Sequence, residues 1–227
     1  MIYPIEVQKL FFSYKQSKKN ILRDINLKVS PGEILVIAGL NGAGKSTLCH
    51  CLCGIIPHMY TGEIEGQVLL FGQPIQSLTM AKIAPQIGIV FQDPDTQLFS
   101  PTVESEIAFA PENLNLSKDE IGRRIDWALK KVGMQDHRYD NPNNLSGGQK
   151  QLIALASVLS LQPEILIFDE VFSQLDSVKR ARVQEIVKEL KNQGRIVILV
   201  THNYDYYDFP DRVLLLEDGR LKPYPGL

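Results

Sequence analysis

The amino-acid sequence predicts an α/β protein with a mostly parallel core sheet, an N-terminal antiparallel β subdomain and a helical subdomain. Three short, almost wholly apolar runs, EILVIAG, EILIFDE and RIVILVTH, are typical of strands buried on both faces of a parallel sheet. Alternating runs near the N-terminus, such as IEVQKLFFSY, indicate antiparallel strands. A helical period in the middle of the chain completes the pattern.

The composition is that of an ordinary folded protein. The chain has 227 residues, of which 44% are apolar and 22% charged, close to globular averages. Its 24 basic and 26 acidic side chains give a net charge of -2, so we expect no nucleic acid as partner. No apolar run approaches the ~20 residues of a membrane-spanning helix. The start MIYPIEVQKL lacks the features of a signal peptide, so we expect a cytosolic protein.

The elements follow in order along the chain. The antiparallel strands are predicted in IEVQKLFFSY, ILRDINLKVS and EIEGQVLLFG, which turn residues separate. Helices are predicted after Gly44, after Ser146 and over about 177–191, between the apolar strands. Strands that alternate with helices in this way place ligands in the turns after the strands.

One further helix is predicted in the segment 117–133. It begins with a capping box formed by Ser117 and Glu120 and ends at Gly133. Its apolar stripe consists of Ile121, Ile125, Ala128, Leu129 and Val132.

The three cysteines lie with His50 in the run CHCLC, whose residue types are those of metal ligands. On a helix, residues i and i+2 point roughly 200° apart, so Cys49, Cys51 and Cys53 cannot converge on one tetrahedral ion. We interpret the thiols as small buried apolar groups.

A glycine-rich loop, GLNGAGKS, follows the apolar run EILVIAG and precedes a predicted helix. Such a loop is typical of a phosphate site, because its backbone amides and the helix N-terminus can surround an anion. Lys45 would neutralise the β- and γ-phosphates, and the Ser46 hydroxyl would ligate Mg²⁺. The alternative is a glycine-rich turn with an exposed lysine. The candidate nucleotide-binding residues are Gly39, Leu40, Asn41, Gly42, Ala43, Gly44, Lys45, Ser46 and Thr47.

Two adjacent acids, Asp169 and Glu170, end the apolar run ILIFDE. Alone they could be solvated turn residues. Beside a phosphate loop they take distinct roles: Asp169 reaches Mg²⁺, directly or through water, and Glu170 polarises the water that attacks the γ-phosphate.

The run LSGGQ, from Leu145 to Gln149, opens a predicted helix 100 residues beyond the phosphate loop. Gln92 ends the run IGIVFQ and His202 ends ILVTH. In chain order, the phosphate loop, Gln92, LSGGQ, ILIFDE and His202 resemble the motifs of the ATP-binding cassette (ABC) ATPases, over essentially the whole chain. The segment VFSQLD after Glu170 and the residue Leu152 depart from the common family pattern.

The LSGGQ run, the signature loop below, offers a helix N-terminus without bulky side chains, which suits an anion. The alternative is a helix cap, because Ser146 and Gln149 also form a capping box; both interpretations can hold together.

The resemblance implies the fold of a P-loop NTPase, with ATP and Mg²⁺ as ligands and ATP hydrolysis as activity. It implies that Gln92 senses the γ-phosphate and Mg²⁺, and that His202 contacts the γ-phosphate. Tyr14 lies where the family stacks the adenine base, whereas Phe11 and Phe12 are expected in the core. Mg²⁺ would be held by Ser46, Gln92 and Asp169.

The resemblance also implies a head-to-tail dimer with an identical or paralogous second ATPase subunit. Across the interface, Asp176 would join the two sites. The residues expected to contact the partner's ATP are Ser146, Gly147, Gly148 and Gln149. The whole chain, 1–227, would be one ABC ATPase domain, with a nucleotide-binding core and β subdomain at 1–91 and 159–227 and a helical subdomain at 92–158.

The segment FQDPDTQLFSPTVESEIAFAPENLNLS is similar to the ATPases of energy-coupling-factor importers for cobalt, nickel and vitamins. This likeness implies a transmembrane coupling subunit that contacts the loop from Asp93 to Phe99. Leu98 and Phe99 would be the apolar anchors, flanked by Asp93 and Asp95. The alternative is a surface loop with two hydrophobic residues packed beneath it.

The importer likeness further implies a separate membrane subunit that binds the substrate, and a peripheral location on the cytoplasmic face of the cell membrane. A DNA-repair ATPase is disfavoured, because only 100 residues separate the phosphate loop from LSGGQ. A soluble ABC ATPase that drives a cytosolic assembly scaffold stays open as an alternative.

Overall fold

The structure, a computed structural model, describes residues 2–15, 17, 19–202 and 209–225. Its strands are β1 (Ile5–Tyr14), β2 (Leu22–Val29), β3 (Ile34–Ala38), β4 (Gly62–Leu70), β5 (Gln73–Pro74), β6 (Ile87–Val90), β7 (Ile165–Asp169), β8 (Ile196–Thr201), β9 (Arg212–Glu217) and β10 (Arg220–Pro223). Its helices are α1 (Lys45–Leu52), α2 (Ile55–His58), α3 (Met80–Ile83), α4 (Val103–Asn113), α5 (Lys118–Val132), α6 (Gly147–Ser160) and α7 (Ser177–Asn192).

The strands form two sheets. The larger has the order β10–β9–β3–β8–β7–β6, with β9 and β10 antiparallel and the other neighbours parallel. The smaller has the order β2–β1–β4–β5 and is antiparallel. The predicted fold class, a mostly parallel sheet with an N-terminal antiparallel β portion and helices, is therefore confirmed.

The core sheet is buried on both faces, as its uniform apolar runs predict. Along β3, Ile34 and Val36 join an apolar cluster with the helices α4 to α7, whereas Leu35 and Ile37 join a second cluster with α1 and the small sheet. Fully burying an aliphatic side chain of this kind contributes about 1.5–3 kcal/mol. The two clusters fix the sheet, and with it the loops at the strand ends.

The cysteines of α1 and its C-terminus belong to the second cluster, so their interpretation as core residues is confirmed. Cys49, Cys51 and Cys53 are buried and form no disulfide. Burial raises the pKa of the Cys51 and Cys53 thiols to about 12. These thiols are therefore neutral at physiological pH and behave as apolar groups.

A bulge at Lys9 reverses the inward face of β1. Ile5 and Val7 point into the core before it, and Leu10 and Phe12 after it, so the buried positions change from odd to even numbers. Gly66 lies opposite the bulge on β4, with a φ of +82°. A Cβ at this position would lie 2.1 Å from the Lys9 carbonyl oxygen.

The helix predicted at 117–133 is α5. Ser117 caps its N-terminus by accepting from the Glu120 amide, and Gly133 ends it in the left-handed conformation. The predicted capping box is wrong in one half: the Glu120 carboxylate pairs with Arg123 and Arg124 instead of the Ser117 amide. Two guanidinium groups within reach compete successfully for a carboxylate that could otherwise reach back.

Several elements of the structure carry no sequence prediction, among them α4 and the hairpin β9–β10. The N-terminus of α4 has a capping box in which Ser105 takes the place of the usual Glu or Gln, and Pro111 interrupts its pattern. Strand β9 is only partly buried, so its run RVLLLE lies outside the fully apolar pattern. Among the helices of the described residues, none combines the length and apolarity needed to span a membrane.

Two glycines of opposite surroundings give a matched pair of stability predictions. Gly122 lies within α5, where an added Cβ would meet no atom of the described residues within 4 Å, so Gly122→Ala should stabilise the fold by about 0.5–1 kcal/mol. Gly66→Ala should destabilise it by about 1–3 kcal/mol or more, because of the close carbonyl and the left-handed backbone. Urea denaturation of both variants measures the two changes in the free energy of unfolding. Changes of the same sign would contradict the surroundings assigned to the two glycines.

Candidate functional site

The candidate chemistry converges at the edge where the parallel strands end. Strands β3, β8, β7 and β6 are neighbours in that order, so the residues that follow them share one edge of the sheet. The residues that follow these strands are, in the same order, the phosphate loop with Lys45, then His202, Glu170 and Gln92.

The phosphate loop runs between β3 and α1 as predicted. Its backbone needs glycine, because a Cβ on Gly39 would lie 2.5 Å from the Leu216 carbonyl oxygen and Gly44 has a φ of +103°. Lys45, the first residue of α1, turns back over the loop and donates to the carbonyl oxygens of Gly39 at 2.9 Å and Leu40 at 3.1 Å. The lysine is therefore buried against its own loop, which disagrees with the alternative of an exposed turn lysine.

The Glu170 carboxylate lies between two basic side chains. Its Oε1 is 3.0 Å from Lys45 Nζ, and its Oε2 is 2.8 Å from His202 Nδ1. The side chains of Lys45 and Glu170 are only 5% and 7% exposed. Both carboxylate oxygens are thus partnered in a nearly dry position, where electrostatic interactions are stronger than in water.

The backbone of Glu170 is in the left-handed region, with φ 53° and ψ 25°. A residue with a Cβ holds this conformation at a cost of about 1–3 kcal/mol unless its surroundings fix it. Here the Glu170 amide donates to the Val200 carbonyl at 2.9 Å, and the Ser173 hydroxyl donates to the Glu170 carbonyl at 2.7 Å. Strain held in this way is common at functional sites.

Asp169 is buried at the end of β7 beside the phosphate loop. Burial raises the pKa of its carboxyl, partly offset by a hydrogen bond from the Ser46 hydroxyl. Its Oδ1 is buried and has no hydrogen-bond partner among the described residues. An unpartnered carboxylate oxygen next to a hydroxyl is a donor set that suits a hard cation such as Mg²⁺, so the residues present fit that ion.

A cleft of about 430 Å³ opens over these groups. Tyr14 lies at its border, with its hydroxyl 3.3 Å from Thr47 Oγ1 and its ring edge-on to the buried Phe12. Phe12 is in the core as expected, and Phe11 is half-buried. The residues that line the cleft are Tyr14, Ile21, Asn41, Gly42, Gly44, Lys45, Ser46, Thr47, Gln92 and Glu170.

The signature loop lies outside this cleft. Ser146 is the N-cap of α6 and forms the predicted capping box with Gln149, whose backbone and side chain both bond to it. Ser146 and Gly147 are exposed, and Gly148 is half-exposed. The residues that line the cleft in the described structure do not include the signature loop, so one chain does not bring the two motifs together.

Asp176 caps the N-terminus of α7 and likewise lies outside the cleft. Its carboxylate accepts from the Lys179 amide at 2.9 Å and forms an ion pair with the Lys179 ammonium. These bonds lower the pKa of Asp176. The side chain is exposed at the start of the helix.

The loop from Asp93 to Phe99 contains a short 3-10 turn, and Asp95 pairs with Lys150 at 2.6 Å. The two expected apolar anchors differ in exposure, because Leu98 is partly buried and packs against the core. Phe99 is 66% exposed and stacks edge-on with Phe109 of α4, at a ring distance of 4.8 Å. The exposed aromatic pair is therefore Phe99 and Phe109.

Sequence reasoning missed several residues that shape the site. The buried Glu106 carboxylate accepts from the amides of Phe99 and Ser100 and thereby holds the aromatic pair in place. Gln174 Nε2 donates to the Gln92 carbonyl at 3.2 Å. The one sequence feature that pointed to Glu106 is an acidic residue within an apolar helix face. No sequence feature pointed to Gln174, because its contact with Gln92 spans 82 residues of sequence.

The fold and the site together define a phosphate-loop nucleoside triphosphatase, with the nucleotide cleft at the ends of a parallel sheet. A profile of the ABC transporter family matches residues 22–173. The energy-coupling factor transporter ATP-binding protein EcfA of Methanocaldococcus jannaschii is 37% identical over 223 residues, which cover 97% of this chain and 78% of that protein. A protein of Pyrococcus abyssi is 46% identical over 219 residues, which cover 96% and 78%.

Solved structures of ABC transporter ATPases also resemble this chain. The protein cbiO1 from Clostridium perfringens, described as part of the ABC transporter complex cbiONQ, superposes with a TM-score of 0.83 and is 34% identical, over 98% of this chain and 88% of that one. The cassette MJ0796, as a dimer bound to ADP and Pi, gives a TM-score of 0.85 at 25% identity, over 98% and 100%. The chain belongs to the ABC transporter family, and it binds and hydrolyses ATP.

The raised pKa of Asp169 predicts a pH dependence of stability. Its folded-state pKa lies above the unfolded-state value, so its contribution to stability is full at low pH and is lost as pH rises through the folded-state pKa. Asp169→Asn removes this titration. In urea denaturation with EDTA and no nucleotide, the free energy of unfolding of the parent should therefore fall relative to Asp169→Asn as the pH rises above the ordinary aspartate pKa of about 4.

Asp176→Asn is the control, for which the pH dependence of the free energy of unfolding should have the opposite sign. The pKa of Asp176 is lowered by Lys179, so the advantage of the parent over Asp176→Asn should be present at neutral pH and decline as pH falls. Parallel pH curves for the parent and Asp169→Asn would contradict the assigned environment of Asp169.

Proposed function

We propose that this chain is the ATP-hydrolysing subunit of an energy-coupling-factor type importer that carries a metal ion or a vitamin. Two relatives support the proposal by what their names state: EcfA is an energy-coupling factor transporter protein, and cbiO1 is part of the cbiONQ complex. The exposed pair Phe99 and Phe109, within the segment that resembles these importers, is the observation among the described residues on which the proposal of a partner at this surface rests.

In the proposed reaction, the phosphate loop and Lys45 bind the β- and γ-phosphates through backbone amides and one ammonium group. A γ-phosphate competes with Glu170 for Lys45, because both are anions at the same cation. Oε1 of Glu170 then becomes available to accept a proton from the attacking water. His202 keeps Oε2 in position and faces the phosphate from the end of β8.

Mg²⁺ would be held by Ser46, Asp169 and Gln92. When bound, it supplies charge neutralisation for the phosphates. Asp169 contributes a carboxylate whose Oδ1 is unpartnered, and Ser46 contributes the hydroxyl at the start of α1. Gln92 lines the same cleft from the end of β6, and Tyr14 at the border would stack on the adenine.

The separation of the signature loop from the cleft supports a second ATPase subunit, identical or paralogous. Ser146, Gly147, Gly148 and Gln149 of one subunit would cover the ATP held by the other, with Asp176 between the two sites. ATP-driven closure and reopening of this pair would move a membrane partner between two states.

We place the nucleotide core and β subdomain at 1–91 and 159–227 and the helical subdomain at 92–158. The transmembrane coupling subunit would contact the helical subdomain at the loop from Asp93 to Phe99, together with Phe109. A separate membrane subunit would bind the substrate, and this chain would lie on the cytoplasmic face of the membrane. The second candidate, a soluble ABC ATPase on a cytosolic assembly scaffold, would use the same aromatic pair for a soluble partner.

Glu170→Gln should lower ATP turnover by about 10²- to 10⁴-fold, because an amide cannot accept the proton that the general base takes. ATP binding should persist, and an ATP-bound dimer should accumulate. A phosphate-release assay and size-exclusion chromatography with ATP measure these effects. Glu164→Gln, which changes an exposed acid at the opposite end of β7, is the control and should retain turnover. Near-parental turnover of Glu170→Gln would remove Glu170 from the reaction.

Affinity capture of the tagged chain from detergent-solubilised membranes tests the importer proposal. We expect a multi-span scaffold protein and a small membrane protein among the captured partners, and the latter identifies the substrate class. A Phe99→Asp bait should lose them, whereas an Asp119→Asn bait, changed at an exposed position of α5, should keep them. Recovery of soluble partners alone, also at low salt, would favour the assembly scaffold.

A further inference from the structure

A chain of four hydrogen bonds leads from Asp140 to the signature loop. Asp140 Oδ2 is 2.7 Å from His137 Nδ1, and His137 Nε2 is 3.1 Å from Gln149 Nε2. The Ser146 amide donates to Gln149 Oε1 at 2.9 Å, and the Gln149 amide donates to Ser146 Oγ at 3.4 Å. The capping box of α6 is therefore extended by an imidazole and a carboxylate.

In this chain of hydrogen bonds, the donor or acceptor role of each group determines the role of the next. The backbone amide of Ser146 can only donate, so the side-chain oxygen of Gln149 faces it. The amide NH₂ of Gln149 then faces His137, whose Nε2 must accept. The imidazole proton is consequently on Nδ1, where the Asp140 carboxylate accepts it. Every group along the chain is satisfied by this single arrangement.

The segment that carries His137 is anchored to the helical subdomain. The first two amides of α4, those of Val103 and Glu104, donate to the carbonyl oxygens of Asp140 and Arg138. The Arg138 guanidinium also binds the Glu104 and Asp126 carboxylates. Because helix-start amides lack partners within the helix, these bonds hold the segment at a fixed position on α4.

We propose that His137 is a positioning residue for the signature loop, which acts through Gln149 on Ser146 and is itself oriented by Asp140. The proposal rests on the proposed function, in which Ser146 contacts ATP held by the second subunit. A capping-box glutamine bonded only to Ser146 can rotate about its side-chain torsions. The bond to His137 removes that freedom and fixes the hydroxyl and amides that the loop presents.

A change at His137 should affect the ATP of the other subunit and spare the nucleotide site of its own chain. The phosphate loop of the same chain stays intact, since neither His137 nor Gln149 lines its cleft. ATP binding by the chain's own phosphate loop should therefore persist while turnover, which needs the signature loop of the other subunit, declines.

The first test is independent of activity. The chain has four histidines, so ¹⁵N NMR of the imidazole groups can be assigned by the loss of one set of signals in His137→Gln. We expect the His137 ring in the tautomer with the proton on Nδ1 and a hydrogen-bonded, unprotonated Nε2. A proton on Nε2 in the neutral ring would overturn the proposal.

The second test measures turnover and nucleotide binding of the full-length chain. His137→Leu should lower kcat about three- to tenfold, the effect of one lost hydrogen bond, with unchanged affinity for a nonhydrolysable ATP analogue. His137→Gln, whose side-chain oxygen can accept from Gln149, should keep kcat within about twofold. Asp136→Asn, in the same short turn but at an exposed position, should behave as the parent.

Gly148→Asp separates failure of this inference from failure of the proposed function. It places a carboxylate where the signature loop should meet phosphate, so it should abolish turnover. If Gly148→Asp is inactive while folded His137→Leu is fully active, His137 has no positioning role. An equal loss in His137→Leu and His137→Gln, with parental thermal unfolding, also overturns it. Full activity of Gly148→Asp would instead refute the contact between the signature loop and ATP.

Discussion

The buried contact between Lys45 and Glu170 is the interaction on which the site depends. A buried ion pair is tolerated only when its remaining donors and acceptors are satisfied, because each charge loses its hydration. Here Lys45 also donates to the carbonyl oxygens of Gly39 and Leu40, and the second oxygen of Glu170 contacts His202. These partners come from the ends of β3, β7 and β8, so the order of neighbouring strands in the sheet is a chemical requirement of the site as well as a result of apolar packing.

The left-handed backbone at Glu170 explains how two adjacent acids serve one cleft. Successive residues of a strand point to opposite faces, so a continued strand would turn Asp169 and Glu170 away from each other. The bend at Glu170 ends β7 and lets the Glu170 carboxylate reach Lys45, while the Asp169 carboxylate accepts a hydrogen bond from the Ser46 hydroxyl. The bonds that fix this backbone come from β8 and the following 3-10 turn, which again ties the site to the sheet.

A structural feature can be predicted from the sequence when residues close together in the chain determine it, and much less so when contacts between separate segments determine it. The core strands, the phosphate loop and the acid pair depend on neighbouring residues, and the structure has the strands and the loop where they were expected. Glu106, Phe109 and His137 depend on contacts between separate segments, which leave no periodic pattern. The different exposure of the adjacent residues Leu98, which is partly buried against the core, and Phe99, which is exposed, depends on such contacts as well.

Helix α6 links the two halves of the proposed mechanism. Its N-terminus presents Ser146 to a second subunit, and one turn further Gln151, which is buried, donates to the Phe91 carbonyl at 2.9 Å. Phe91 immediately precedes Gln92, whose carbonyl accepts from Gln174. A displacement of the Phe91 carbonyl would therefore move α6 with it or break the bond from Gln151. Because α6 is also packed against α4 and α5, the helix that carries Phe109 and the helix that carries the signature loop are in direct contact.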